Sequence, residues 1–85
     1  MRILDSSSDK QVGQVQLYLS AAEARELVAS LGKLLGDPEA KDHFHVFSED
    51  GGAELSCSIV TARKLAAGGY TPAERKAMAG WKPRA

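Results

Sequence analysis

Val12-Gly13-Gln14-Val15-Gln16-Leu17-Tyr18-Leu19-Ser20-Ala21-Ala22-Glu23 is the stretch on which the fold turns, because the spacing of apolar residues changes inside it. Over residues 12–20, Val15, Leu17 and Leu19 alternate with Gln14, Gln16, Tyr18 and Ser20, the two-residue period of a half-buried antiparallel strand. Gly13 marks a bulge or the true start of that strand. At Ser20 the period becomes 3.6. The Ser20 hydroxyl can accept from the first-turn amides while Glu23 reaches back to the cap, so Ser20-x-x-Glu23 is a capping box. The helix that follows aligns Ala24, Leu27, Val28, Leu31, Leu34 and Leu35 in one stripe. Gly36-Asp37-Pro38 should stop it, glycine by closing left-handed and proline by refusing to continue.

Outward from this stretch, residues 2–4 are an apolar run suited to an edge strand, and residues 5–11 read as a turn. On the other side, residues 43–48 and 53–60 are predicted to form a hairpin. Phe44 and Val46 share one face opposite His43, His45 and Phe47, and Leu55, Cys57 and Ile59 alternate with Glu54, Ser56 and Ser58. Glu49-Asp50-Gly51-Gly52 supplies the turn, with both glycines free to take positive φ. The expected fold is α+β: a mostly antiparallel sheet of three or four strands, one main helix packed on one face, and a short C-terminal helix. Leu17, Leu19, Leu31, Phe44, Val46, Leu55, Cys57 and Ile59 are its predicted core.

Residues 1–60 are expected to be the core domain and residues 61–85 a basic helical tail rather than a second domain. Residues 62–67 look too short for an independent helix, and Gly68-Gly69 breaks them. Thr71-Pro72-Ala73-Glu74 is a second capping box with proline at the favoured first helical position, and Gly80 ends that helix. A helix this short needs a surface to dock on.

The chain has 85 residues and balances 11 Lys+Arg against 11 Asp+Glu, which fits one small domain. The balance hides an asymmetry. Residues 1–60 hold five basic and ten acidic groups, formally −5, whereas residues 61–85 hold six basic groups against Glu74 alone, formally +5. Such a division can dock the tail on its own body, pair subunits, or offer partners two surfaces of opposite sign. A single Cys excludes an intrachain disulfide framework, so a reducing cytoplasm is the expected compartment. The opening residues carry no apolar signal segment, and no membrane span is expected.

No catalytic constellation emerges. Alternation puts Cys57 on the covered face and both histidines on the other, whereas a reactive thiol needs exposure and a lowered pKa. Ser6, Ser7 and Ser8 lack the strand-turn-helix setting of a nucleophile, and the glycine pairs lack the lysine and helix start of a phosphate loop. His43 and His45 can share a side with Glu54, yet a metal site needs further ligands, and no metal or cofactor is expected. The open sheet face, with Gln14, Gln16, Tyr18, His43, His45, Phe47 and Glu54, is the candidate partner-binding surface. Alternatively Arg63, Lys64, Arg75, Lys76, Lys82 and Arg84 contact nucleic-acid phosphates while Tyr70 or Trp81 stacks on a base, although the −5 body opposes that polymer.

The segment from Leu19-Ser20-Ala21-Ala22-Glu23-Ala24-Arg25-Glu26-Leu27 through Leu34-Leu35-Gly36-Asp37-Pro38, with the hairpin after it, resembles a family of small immunity proteins of bacterial polymorphic toxin systems. The resemblance covers residues 12–60 and rests on scaffold features. It implies a non-enzymatic α+β protein that neutralises a cognate toxin by tight binding. The expected function is therefore a non-catalytic protein-binding module, with nucleic-acid binding or a structural homo-oligomer as the alternatives.

Overall fold

Ser20 caps a helix as its sequence requires. In the computed structural model, which describes residues 1–85, α1 runs Ala21–Gly36. The Glu23 amide donates to Ser20 Oγ at 3.1 Å and the Ser20 amide donates to Glu23 Oε1 at 2.8 Å. Gly36 is the last helical residue rather than a left-handed stop. The helix is closed instead by Asp37 (φ −150, ψ 79), whose amide donates to the Leu34 carbonyl. Proline disfavours helical geometry in the residue before it, so Pro38 ends α1 through Asp37.

The hairpin also forms. β3 (Phe44–Phe47) pairs antiparallel with β4 (Glu54–Cys57), setting Phe44 opposite Cys57 and Val46 opposite Leu55 on one face, and His45 opposite Ser56 and Phe47 opposite Glu54 on the other. Only Gly51 takes positive φ (+74) in the turn. Asp50 Oδ1 accepts from the Ser48 hydroxyl at 2.6 Å and from the Gly52 amide at 2.9 Å. α1 packs on β3, and the second carboxylate oxygen of Glu23 accepts the Glu49 amide at 2.9 Å, so one side chain ties helix start to hairpin turn.

The expected single sheet does not form. β1 (Ile3–Asp5) pairs antiparallel with β2 (Lys10–Val12), matching Ile3 to Val12, and this hairpin and β3–β4 are separate two-stranded sheets. Residues 5, 10 and 11, expected in a turn, are therefore strand. The tight connection has Asp5 Oδ1 accepting the Ser7 amide and Asp9 at φ 56, a left-handed position that Asp tolerates. The predicted strand over residues 12–20 survives only at Val12. β1 is three residues long, so it pairs with three residues and leaves 13–19 with nothing opposite. None of the backbone hydrogen bonds outside the helices and strands involves residues 13–19.

Residues 62–67 do form a helix. α2 (Ala62–Ala67) is held from outside: Thr61 caps it, accepting the Lys64 amide at 3.2 Å, and donates its hydroxyl to Glu39 Oε2 at 2.9 Å. Tertiary anchoring of this kind replaces the length an isolated helix would need. α3 (Pro72–Met78) carries its capping box and packs on β1 and β2. There Arg2 Nε donates to the Ala77 carbonyl at 2.9 Å, and its guanidinium lies 5.1 Å from the Trp81 ring centre. A cation beside the last carbonyls complements the negative end of the helix.

Only five residues are buried: Leu34 and Val46 between α1 and β3, Ala77 and Met78 on α3, and Lys64 on α2. Phe44, Leu55, Cys57 and Ile59 are half-buried. Leu17, Leu19 and Leu31, expected in the core, are exposed, because the sheet that was to receive the first two does not exist and β3 reaches only one flank of α1.

Candidate functional site: an uncovered apolar surface beside a histidine face

The hairpin register settles what each of its faces holds. His43 and His45 meet edge to face with ring centres 4.9 Å apart, and His45 stacks on Phe47 at 6.0 Å. His45 Nδ1 lies 3.5 Å from Glu54 Oε2, across the strand pair. His43, His45, Phe47 and Glu54 are thus brought together. Gln14, Gln16 and Tyr18 do not join their sheet; they sit on the unpaired segment, where the Tyr18 hydroxyl donates to Gln16 Oε1 at 3.1 Å.

Cys57 lies on the opposite face with Phe44, Val46 and Leu55, and burial pushes its thiol pKa up. A raised pKa keeps the group in the weakly nucleophilic thiol form. Beside the histidines, a cleft of about 390 Å³ is lined by Ser56 and Ser58 of the hairpin and by Lys41, Lys64 and Tyr70 from more distant parts of the chain. Most of its lining residues are polar or charged, and it is open to solvent. No group of three or more His, Cys, Asp or Glu side chains is placed to hold a metal ion. Lys41 carried no local sequence signal, and Tyr70 was marked only as a base-stacking candidate; tertiary folding alone places both beside the histidines.

The basic residues of 61–85 have separate fates. Arg63, Lys76, Lys82 and Arg84 are exposed, while Arg75 donates to the Tyr70 carbonyl at 2.9 Å. Lys64 is buried with its ammonium on the Ala40 carbonyl at 3.0 Å. Trp81 is half-buried under the Arg2 guanidinium.

What the molecule leaves open is apolar. Val15 and Leu17 are each about half exposed, and Leu19 is 42% exposed. On α1, the stripe from Leu34 to Val28 spans roughly 120° at 100° per residue. β3 covers one edge, burying Leu34, while Val28 and Leu35 on the other edge stay 71% and 67% exposed. Phe47 adds a further exposed ring. The chain as a whole is also more open than its mass requires: it exposes 6613 Å², whereas a compact monomer of 9.1 kDa exposes about 4,900 Å². The surplus of roughly 1,700 Å² is larger than the ~800 Å² each partner contributes to a standard protein interface.

Set against protein-family models, curated proteins and solved structures, the chain matches none of them. No helix is long and apolar enough to cross a membrane.

Proposed function

We propose that this chain is a non-catalytic protein-binding module whose folded surface is completed by another polypeptide. The large apolar side chains left exposed, Val15, Leu17, Leu19, Val28, Leu35 and Phe47, carry this reading, since extensive apolar exposure on a folded protein marks binding surfaces. The placement of Cys57 away from the imidazoles, with its thiol pKa raised, favours binding over catalysis. The resemblance to immunity proteins makes toxin neutralisation the specific form. The nucleic-acid alternative draws less support, because Lys64 and Trp81 are engaged within the chain.

The test is affinity capture with the whole chain beside a Val28→Glu/Leu35→Glu variant, followed by sizing of the complex. Both sites are exposed and glutamate is a good helix former, so α1 should persist. One stoichiometric protein bound by the native chain and lost by the variant is the expected result. Capture indifferent to the variant, together with failure of the native chain to bind an apolar dye, would overturn the reading.

A further inference from the structure

We propose that residues 15–19 are the two-fold strand of a homodimer, pairing antiparallel with the same residues of a second copy about Leu17. This rests on the protein-binding reading above and takes it in its self-associating form, in which the polypeptide that completes the surface is a second copy of the chain rather than a toxin.

The segment is complementary to itself. Pairing about Leu17 sets Val15 against the partner's Leu19 and Leu17 against the partner's Leu17. Directly opposed residues share a face of an antiparallel pair, so six apolar side chains gather on one side. The other side receives Gln16 opposite the partner's Tyr18, and the reverse. A two-fold interface requires such self-matching, which an alternating run centred on Leu17 provides and an arbitrary foreign strand does not.

The backbone is available for it. Residues 13–19 make no backbone hydrogen bonds beyond the sheets and helices, and free amides and carbonyls of a strand-forming sequence are a template for another chain. Nothing guards the segment, since residues 12–20 contain no charge and no proline. Proteins that must avoid edge pairing usually place lysine or proline there.

Area and charge agree. The surplus of roughly 1,700 Å² per chain exceeds the ~800 Å² that each partner contributes to a standard interface, so a second copy has surface to cover. The formal charge of +0 gives copies no net repulsion, and the acidic body of one can face the basic tail of the other.

The test is sedimentation of the full chain over a dilution series, with Leu17→Lys, Leu17→Glu and an equimolar mixture of the two. The native chain should sediment at twice the 9.1 kDa of one chain. Either variant sets like charges opposite each other and removes two buried leucines, raising the dimer Kd roughly 100-fold or more. The mixture should restore dimers, because lysine then opposes glutamate. Circular dichroism retaining the α1 signal shows that each variant folds, and since residue 17 is half exposed, it should. A native dimer indifferent to both variants, or variants that do not rescue each other, would overturn strand pairing at Leu17. A native monomer that binds an apolar dye would overturn the second copy while leaving the protein-binding reading intact. A native monomer that binds no dye would remove both.

Discussion

Two stretches of this chain share the same alternation and meet opposite fates. Residues 44–47 and 54–57 pair across a tight turn and bury Val46 against α1, whereas residues 15–19, equally alternating, lie outside both sheets with their leucines exposed. The hairpin brings its own partner within a few residues, so loop closure costs little. The earlier stretch has only the three residues of β1 nearby, and these are consumed by β2. Alternation therefore defines a surface that wants a partner, and chain proximity decides whether the monomer can supply one.

This contrast can be tested by damage on the paired side. Leu34→Ala removes one of the four buried apolar residues and should cost about 2–5 kcal/mol in urea unfolding, a large share of a small domain's stability. Leu17→Ala should cost well under half of that in dilute solution, and a loss as large as that of Leu34→Ala at every dilution would erase the distinction drawn between the two stretches. Arg2→Ala should come next, at about 1–2 kcal/mol, by removing the hydrogen bond to the Ala77 carbonyl and the contact with Trp81. Hydrogen exchange should then quicken in β1, β2 and α3 while β3 and β4 keep their protection. In the turn, Gly51→Ala forces a methyl group into φ +74 and should cost about 1 kcal/mol, read from the same unfolding curves.

The smallest expected effect is one of pH. Hydrogen bonds from the Ser20 and Glu49 amides hold the Glu23 pKa below the ordinary carboxylate value, and the Ser48 hydroxyl and Gly52 amide do the same for Asp50. Both carboxyls thus ionise more readily in the folded chain. The stability they lend is complete above the usual carboxylate range and drains away as pH falls through their lowered values. The urea midpoint should decline in acid over that window, and Glu23→Gln should flatten the decline. Unchanged curves would separate the turn from the helix cap.

The capping boxes at Ser20 and Thr71, the extent of α1, and the facing of every residue in β3 and β4 were legible in the sequence, because each depends on groups within a few residues. The histidine face with Phe47 and Glu54 followed from the same alternation. The inclusion of Gln14, Gln16 and Tyr18 in that face did not follow, because it assumed a pairing between strands far apart in the chain. The second function of Glu23, holding the Glu49 amide, carried no local mark, and neither did the anchoring of α2 by Glu39 and Ala40.

Periods, caps and turns were determined by the sequence itself, since propensity and short-range hydrogen bonds act between neighbours. Which alternating segments found a partner was decided only by tertiary structure. Arg2 reaches Ala77 across 75 positions, Thr61 reaches Glu39 across 22, and Val28 and Leu35 were left open while Leu34 was covered. Pairing over such separations depends on the closure of the whole chain and on the area each surface can bury, neither of which is written in any one segment.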